Sequence, residues 1–386
     1  MAPRRPTIAD VARRAGVSKG AVSFALNGRP GVAEATRERI IAAADALGWR
    51  PSHRARSLSV SKAFALGLVI ARDPALLGSD PFFPTFIAGV ETLLAEHGQA
   101  LVLQVAGAGS AENDGYRRLA RDGRVDGVFL TDLRRSDSRI ALVEELGLPA
   151  VTLNRPDVPS PFPAVCLDDR PGITAAVDHL ASLGHTRIGH VAGPADFVHG
   201  HGRRLAFDDA LAASDLPPGP VEVGDFTAAG GTAATRRLLD TRHRPTALVY
   251  ANDQMAIAGI GVAQRLGLPV PEALSVTGYD DTELAAHLHP PLTSVRTDVF
   301  GWGQVAARTL LALIEDGSAD DVELEPAELV VRDSTAAPQA DPAESTTHPS
   351  AHPHLDRTAR PANATQPPHA PSFPSPPEPR SVSEES

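Results

Sequence analysis

The chain has 386 residues, of which 42% are hydrophobic and 22% charged, and its formal net charge at pH 7 is −11. These values suit a globular protein of two or more domains and exclude collagen-like, coiled-coil and disulfide-scaffold proteins. Cys166 is the single cysteine, no apolar run approaches the roughly 20 residues of a membrane-spanning helix, and the N-terminal residues lack the apolar core of a secretory signal. We therefore expect a cytoplasmic protein with no membrane partner.

The net charge conceals two parts of opposite sign. Residues 1–62 contain 12 Lys and Arg against 4 Asp and Glu, whereas the remainder contains 24 against 43. A basic segment attached to an acidic body favours a module that binds a polyanion such as DNA. From charge alone, a solvated basic face is the alternative interpretation.

Residues 7–26 have the pattern of two short helices joined by a tight turn. Thr7 can cap the first helix together with Asp10, Gly16 permits a left-handed turn, and Ser18 can cap the second helix. The predicted core positions are Ile8, Val11, Ala12, Ala15, Val17, Val22 and Leu26, with Ile40, Ile41, Ala44 and Leu47 from a third helix. We interpret the segment as a helix-turn-helix within a three-helix core.

From residue 63 to about residue 333, short β-branched runs alternate with helical patterns. The first series of predicted strands covers residues 66–71, 100–106, 125–131 and 149–153, and the second covers residues 164–167, 186–192, 221–226, 246–251 and 273–278. Strands that are buried on both faces appear as continuous apolar runs, and the helical patterns between them supply crossovers. Each series therefore predicts one doubly wound parallel sheet, and two such lobes imply a cleft.

A change of composition marks residues 334–386. From residue 336 onward the chain holds 12 of its 35 prolines, among Ser, Thr, Ala and His, with almost no large apolar residues. Such a segment cannot bury enough apolar surface to offset the entropy of folding. We predict a disordered tail.

Several motifs resemble the lactose-repressor (LacI/GalR) family of bacterial transcription regulators. The N-terminal motifs are TIADVARRAGVS, VSFALNG, VAEATRERI and RPSHRARSLSVSKAFALGLVI, and those of the body are DHLASLGHTRIGHVAGP, ANDQMAIAG, SVTGYDD and PPLTSVRTD. The resemblance covers residues 5–335 and implies an α/β protein with an all-α helix-turn-helix headpiece and a two-lobed periplasmic-binding-protein-like body. We expect the DNA-binding domain at residues 1–50, a hinge helix at 51–62, an effector-binding and dimerisation domain at 63–333, and then the tail.

The resemblance implies that the second helix of the motif enters the major groove of DNA. Lys19 can then donate to guanine or to phosphate, Gly20 offers no side chain, and Phe24 can pack on a thymine methyl group. A core position is the alternative for Phe24, because its side chain is apolar. Family members contact phosphates, which fix register without reading sequence, at the positions of Thr7, Ser18, Ser23, Asn27 and Thr36.

The segment from Arg50 to Leu58 resembles the hinge helix of the family, and Pro51 suits its start. Eight or nine residues cannot hold a helix alone in water, so we expect the segment to order when two copies pair on DNA. In relatives the residue at the position of Leu58 wedges into the minor groove, and the bend brings arginines, here Arg54 and Arg56, to phosphate. A plain linker with Leu58 anchored on the body is the alternative.

The resemblance also implies that the cleft holds a small-molecule effector. The candidate effector-binding residues are Phe83, Arg155, Arg203, Phe226, Asn252 and Asp280. Arg203 facing Asp280 and Asn252 would supply donors and acceptors for vicinal hydroxyl groups. Phe226 would supply a flat face for a ring, so the set favours a sugar.

Further acidic residues in the same motifs are open to two interpretations. Asp168, Asp169 and Asp253 are additional cleft candidates. For Asp168, Asp253 and Asp281 the alternative is helix capping. Relatives also accept nucleobases and other polar rings, so the class of effector stays open.

The leading hypothesis is a homodimeric repressor whose affinity for an inverted-repeat operator is switched by the effector, with outer helices of the first lobe, including residues 81–98, pairing two chains. A regulator with a non-sugar effector, or an activator, is the alternative. A transport-type binding protein would share the body but has no use for the basic N-terminal segment. An enzyme is a third class, yet the chain contains no G-x-G-x-x-G, no P-loop motif and no zinc-ligand spacing. We expect no catalytic residue, no cofactor and no metal.

Overall fold

The computed structural model describes residues 6–26, 30–49, 62–72, 78 and 80–339. The predicted DNA contacts Asn27, Arg54, Arg56 and Leu58 lie outside these ranges, as does the chain after residue 339. In the described part of the chain, no helix is both long enough and apolar enough to cross a membrane.

Turn chemistry defines the N-terminal helices α1 (Ile8–Ala15), α2 (Lys19–Leu26) and α3 (Glu34–Ala46). The Asp10 carboxylate accepts hydrogen bonds from the amide and the hydroxyl of Thr7 at 2.9 and 2.7 Å, and the bond from the amide is the one that the predicted capping box assigns to Asp10. Gly16 ends α1 with left-handed backbone at φ +66°. At the start of α2, the Ala21 amide donates to the Ser18 hydroxyl at 3.1 Å. The predicted helix-turn-helix is thus present.

An apolar core joins these three helices. Its buried members are Val11, Ala12, Ala15, Val22, Ala25, Ile40, Ala43 and Ala44, and Ile8, Val17, Leu26 and Leu47 are partly buried against them. Ile41 corrects the prediction, because its side chain is 43% exposed. Helix α3 buries Ile40 together with Ala43 and Ala44, one turn on, and successive helical residues are about 100° apart. Ile41 therefore faces away from the core.

The body continues with alternating strands and helices. In chain order these are β1 (Ala65–Ile70), α4 (Phe82–Glu96), β2 (Ala100–Val105), α5 (Ser110–Arg121), β3 (Gly127–Leu130), α6 (Arg139–Glu145), β4 (Ala150–Leu153), β5 (Ala164–Cys166), α7 (Arg170–Ser182), β6 (Ile188–Ala192), α8 (Val198–Ala213), β7 (Val221–Val223), α9 (Ala228–Leu239), β8 (Ala247–Tyr250), α10 (Asp253–Arg265), β9 (Ser275–Asp280), a 3₁₀ turn (Glu283–His287), β10 (Thr293–Arg296), α11 (Val299–Asp316), β11 (Val322–Glu323) and β12 (Glu328–Val330).

Within the described residues, these strands form two six-stranded sheets. The first has the order β11-β5-β4-β3-β1-β2 and the second the order β12-β10-β9-β8-β6-β7. The strand pairs are parallel, apart from the antiparallel pair of β10 and β12. Each sheet has apolar clusters on both faces, and all six residues of β1 are buried. These sheets confirm the predicted fold class of two doubly wound sheets. The prediction was possible because continuous apolar runs mark strands that are covered on both sides.

The division of strands between the lobes differs from the prediction. Residues 164–167 were expected in the second sheet, but β5 pairs with β4 in the first sheet, in the register Thr152 with Ala164. The chain then enters the second lobe, returns for α11 and β11, and crosses again to β12. An apolar run identifies a strand but carries no information about which sheet the strand joins.

The folded body also extends past the predicted boundary at Asp333. Ser334 is fully buried, and its hydroxyl donates to the Val276 carbonyl oxygen at 2.6 Å and accepts from the Thr293 amide at 2.8 Å. The Ala336 amide donates to the Ser275 hydroxyl at 3.0 Å. The polar composition that begins at Ser334 therefore does not mark the end of the fold.

His190 is a buried titratable group in the middle of β6. Its Nδ1 donates to the Val249 carbonyl oxygen at 2.8 Å, its ring stacks on Phe207 with centroids 4.8 Å apart, and its Nε2 has no partner among the described residues. Burial lowers the pKa of His190 to about 4. The imidazole is therefore neutral over most of the pH range in which the fold is expected to work.

We predict that His190 lowers stability in mild acid. A histidine in the unfolded chain takes up a proton near pH 6.5, whereas His190 in the folded chain does so near its pKa of about 4. Between these values the unfolded state binds more protons, so stability falls as the pH falls, by about 2 kcal/mol at pH 5. Urea unfolding at pH 7 and pH 5 measures this loss. His190→Asn retains a donor toward Val249. Between pH 7 and pH 5, this variant should lose about 2 kcal/mol less of its free energy of unfolding than the parent protein loses. Identical losses in both proteins would contradict the prediction.

Candidate functional site

The exposed face of α2 carries the residues predicted to meet DNA. Ser18, Lys19 and Gly20 are exposed around its first turn, and Phe24 is 43% exposed one turn later. The core alternative for Phe24 is therefore wrong, because the buried side of α2 is formed by Val22 and its neighbour Ala25. Among the predicted phosphate contacts, Thr7, Ser23 and Thr36 are half-buried. The structure thus leaves both Lys19 and Phe24 exposed.

Two arginines of α3 help to fix the orientations of α1 and α2. The Arg39 Nε donates to the Ala15 carbonyl oxygen at 3.1 Å, and the Arg37 guanidinium donates to the Ala25 carbonyl oxygen. Both carbonyl groups lie in the last turn of a helix, where they have no partner within the helix and where positive charge is favourable. Helix α2 is held at its end as well as through its core.

A cavity lies between the two lobes, beyond the carboxyl ends of the parallel strands. Its volume is about 680 Å³, including the part that is open to solvent. Arg72 follows β1, Asp132 follows β3, Asn154 follows β4, and Asp280 ends β9, and all of them line it. Ligands of doubly wound sheets bind at this edge, because the strands end there and the following residues are free to face a crevice.

Most of the predicted effector-binding residues meet at this cavity. Those that line it are Phe83, Arg203, Phe226, Asn252 and Asp280. Arg155 does not line it, because its guanidinium lies on the exposed surface against Asp321 and Glu323. The preceding residue, Asn154, lines the cavity instead, and its left-handed backbone at φ +70° ends the extended path of β4. The prediction for Arg155 was wrong by one residue.

Arg203 is the central cation of the second-lobe wall. Its Nη1 donates to the Ala251 carbonyl oxygen at 2.7 Å, and its Nη2 donates to the Asp169 carboxylate at 3.1 Å. The guanidinium carbon lies 3.6 Å from the ring centroid of Tyr279, whose hydroxyl donates to the same Asp169 oxygen at 2.6 Å. The Nε–H group is buried and has no partner among the described residues. Arg203 is therefore held rigidly and has a donor left over.

Asn252 acts on the cavity largely through its neighbours. Its Oδ1 accepts from the Met255 amide at 3.0 Å and caps α10, and its Nδ2 donates to the Phe226 carbonyl oxygen at 3.0 Å. Phe226 has left-handed backbone at φ +66°. Because such a backbone is uncommon for a bulky residue, the bond from Asn252 helps to hold the Phe226 ring toward the cavity.

The additional acidic candidates separate into different roles. Asp169 lines the cavity, whereas Asp168 is half-buried and accepts from the amide of Arg170, the first residue of α7, at 3.1 Å. Asp253 is buried and accepts from the Ser294 hydroxyl and the Thr282 amide, and burial raises its pKa to about 6. Asp281 forms ion pairs with two arginines, Arg296 and Arg332. Asp253 and Asp281 support the loop next to Asp280 and do not line the cavity.

Sequence reasoning missed the opposite wall. Arg72 donates to both oxygens of the Asp132 carboxylate, at 2.7 and 2.8 Å, and its guanidinium carbon lies 5.5 Å from the centroid of the Phe226 ring. Burial opposes ionisation of Asp132, but the Arg72 charge outweighs it and lowers the pKa of Asp132 below the ordinary value. The sequence did contain a signal, since Arg72 and Asp132 directly follow the predicted buried strands at residues 66–71 and 125–131.

Aromatic rings cover much of the remaining wall. Phe82 meets Trp302 edge to face at 5.9 Å, and both line the cavity. His199 stacks on Phe226 with centroids 5.4 Å apart. Burial and the nearby Arg203 lower the pKa of His199 to about 4, so this ring is a neutral hydrogen-bonding group. Nothing in the scattered histidines of the sequence pointed to His199.

Among the described residues that line the cavity, the charged side chains that form no ion pair are carboxylates. Arg72 and Arg203 both pair with carboxylates, whereas Asp80 and Asp280 form no ion pair with the described residues. Burial raises the pKa of Asp80 and, more strongly, that of Asp280. The cavity therefore presents carboxyl groups, an amide, an imidazole and flat rings, while its guanidinium charges are already balanced. Such a surface fits an uncharged ligand with many hydroxyl groups better than an anion.

Comparisons with known proteins agree with this division. Residues 7–52 match the family model described as bacterial regulatory proteins, lacI family, and residues 177–335 match a periplasmic binding protein-like domain. The chain is 36% identical over 325 residues to the HTH-type transcriptional regulator CelR of Thermobifida fusca, which covers 83% of this chain and 95% of that protein.

Two solved structures are also similar. The transcriptional regulator CelR–cellobiose complex has a TM-score of 0.67 and 35% identity, covering 86% of this chain and 100% of that one. The lac repressor dimer bound to operator and the anti-inducer ONPF has a TM-score of 0.75 and 28% identity, with coverage of 86% and 100%.

Proposed function

Because this chain belongs to the LacI family of bacterial regulatory proteins, we propose that it is a homodimeric repressor that binds an inverted-repeat operator and changes its affinity when a sugar occupies the cleft. The proposal places the protein in the cytoplasm, with its DNA, and assigns it no catalytic role. The description of CelR as a cellobiose complex supports the sugar, and the description of the lac repressor dimer on its operator supports DNA and a dimer.

The observation that carries the proposal is the chemistry of the cavity. Vicinal hydroxyl groups need both acceptors and donors, and Asp280, Arg203 and the His199 ring, which all line the cavity, have such groups. A sugar ring also presents apolar C–H faces, which pack on aromatic rings such as Phe226 and Trp302. An anionic sugar would instead meet the carboxyl groups of Asp80 and Asp280. It would find no unpaired cation, because both guanidinium groups that line the cavity already pair with carboxylates.

The proposed DNA contacts follow from the exposed face of α2. Lys19 and Phe24 read base edges or methyl groups, and the hydroxyl-bearing residues around them fix the register on phosphate. The proposed hinge contacts of Arg54, Arg56 and Leu58 remain sequence predictions. A sugar that stabilises one arrangement of the lobes changes the spacing of two such headpieces, and a coupling of about 1 to 3 kcal/mol changes operator affinity roughly 5- to 150-fold.

The test begins with DNA selection. Genomic fragments retained by the purified chain should share an inverted repeat, and binding to that repeat should weaken steeply with salt. Uncharged sugars are then added, starting with cellobiose, and release or tighter binding is measured by fluorescence anisotropy. Equal affinity for the selected repeat and for scrambled DNA would rule out the proposal. If DNA binding is specific but no sugar changes it, the effector assignment is wrong and the regulator assignment stands.

Lys19→Ala should weaken operator binding by about 10- to 100-fold, because a good base contact is worth about 1 to 3 kcal/mol. Titrations at several salt concentrations separate two modes of contact. A phosphate contact reduces the salt slope by about 1, whereas a guanine contact relaxes specificity at one base pair. Arg118→Ala, which removes an exposed charge from α5 in the body, is the control and should leave affinity unchanged. Equal binding by the Lys19→Ala and control proteins would remove Lys19 from the interface.

A further inference from the structure

A short antiparallel bridge joins the two lobes at the wall of the cleft. The Val198 amide donates to the Leu133 carbonyl oxygen at 2.8 Å, and the Arg135 amide donates to the Asp196 carbonyl oxygen at 2.7 Å. Between these bonds, Arg134 and Phe197 face each other in an isolated antiparallel pair. Residues 133–135 follow β3 of the first lobe, and residues 196–198 follow β6 of the second lobe and end at Val198, the first residue of α8.

The first-lobe side of this bridge is fixed from behind by buried ion pairs. Arg139 contacts Glu112 and Asp137 at 2.6 Å each, and all of these side chains are almost fully buried. Asp137 accepts from the Arg134 amide at 2.9 Å, and Glu112 accepts from the Arg134 guanidinium at 2.8 Å. The folding of the first lobe alone therefore orders residues 133–135, and little further entropy is lost when the bridge forms.

The second-lobe side uses the open end of a helix. Val198 is the first residue of α8, and its amide has no acceptor within the helix. The preceding Phe197 donates its own amide to the Pro194 carbonyl oxygen at 3.3 Å. From the first lobe, the guanidinium carbons of Arg72 and Arg134 lie 5.0 and 5.9 Å from the centroid of the Phe197 ring. Cation–π contacts thus accompany the two main-chain bonds.

We propose that the bridge between residues 133–135 and 196–198 is a latch that holds the cleft closed in the protein without effector. The covalent connections between the lobes follow β5, β10 and β11, so the latch is a separate, non-covalent closure. Leu133 and Val198 also line the cavity, so an entering ligand has to break the latch or pass beside it. The proposal concerns the ligand-free chain and does not depend on the identity of the effector.

Hydrogen–deuterium exchange on the full ligand-free chain tests the latch. The Arg135 amide should exchange at least about tenfold more slowly than an unstructured amide. Val198→Pro removes the amide that donates to Leu133, and proline suits the first position of a helix when the preceding residue, here Phe197 at φ −81° and ψ 137°, is extended. In this variant the Arg135 amide should exchange about fivefold faster or more. Phe197→Leu, which removes the stacked ring, should change exchange in the same direction.

Ala228→Pro is the matched control. Ala228 is the first residue of α9, is exposed, and follows Thr227 with extended backbone, so the substitution is of the same kind, but the Ala228 amide takes no part in the bonds between the lobes. It should leave Arg135 exchange unchanged, and thermal unfolding of all variants checks that they fold. Two results would overturn the latch: fast exchange of Arg135 in the parent protein, or equal protection of Arg135 in the Val198→Pro and Ala228→Pro proteins.

Discussion

Replacing Arg203 by leucine should weaken binding of an effector sugar by at least about 100-fold and destabilise the body by roughly 3 to 5 kcal/mol. The guanidinium pairs with Asp169, lies against Tyr279 and opposes the charge of Asp280. Without it, buried carboxyl groups lose their compensating charge, which costs several kcal/mol. Isothermal titration with cellobiose as the first probe, and sugar-dependent release from the operator, measure the first effect. Urea unfolding measures the second.

Two further variants separate charge from geometry. Arg203→Lys keeps the charge but loses the planar group that bonds Ala251 and Asp169 together, so stability should be largely retained while sugar binding stays weak. Arg204→Leu removes the neighbouring arginine, which is paired with Asp208 on the surface of α8, and should cost no more than about 0.5 kcal/mol. Parent-like sugar affinity in Arg203→Leu would exclude Arg203 from the effector site.

Gly89→Ala should destabilise the first lobe by about 3 kcal/mol. A Cβ atom at Gly89 in α4 would lie 2.1 Å from the Phe300 carbonyl oxygen of α11, and one at Gly303 would lie 2.3 Å from the Phe86 carbonyl oxygen. The two helices therefore cross with their backbones in contact, and an added methyl group has to separate them. Because Phe82 on α4 and Trp302 on α11 line the cavity, effector binding should weaken as well. Thermal unfolding should show a midpoint lower by roughly 5 °C or more.

Gly202→Ala is the control for this substitution. Gly202 lies within α8, and a Cβ atom there would have no heavy atom within 4 Å. Removing a glycine from the interior of a helix stabilises the helix by about 1 kcal/mol, so this variant should unfold at a higher temperature than the parent chain. The close crossing of α4 and α11 would be refuted if both alanine variants were as stable as the parent.

The N-terminal helices could be predicted almost entirely from the sequence. The Thr7–Asp10 capping contact, the Ser18 cap and the left-handed Gly16 are local features, and each depends on residues only a few positions apart. The exposure of Phe24 could not be predicted in this way. Both a core and a surface position fitted its apolar character, and the packing of α3 against α2 decided between them.

The lining of the cavity could be predicted from the sequence only in part. Arg203, Phe226 and Asp280 were predicted from motifs, but their partners Arg72, Asp80 and Asp132 come from distant parts of the chain and meet them only across the cleft. After β4, Asn154 lines the cavity and the predicted Arg155 does not. The direction of a side chain at the end of a strand depends on the path of the following loop, which the sequence does not give.

By itself, the sequence determined the class of each segment: a basic helical module, buried parallel strands, and crossover helices that end at glycines. Helix and strand formation depend on local periodicity and on capping, which the order of residues records directly. Only the tertiary structure decided which lobe received β5 and α11, which arginines were left with open donors, and which backbone groups of the two lobes bonded to each other. These outcomes depend on contacts between residues far apart in the chain, and pairing across such distances is set by packing and charge in three dimensions.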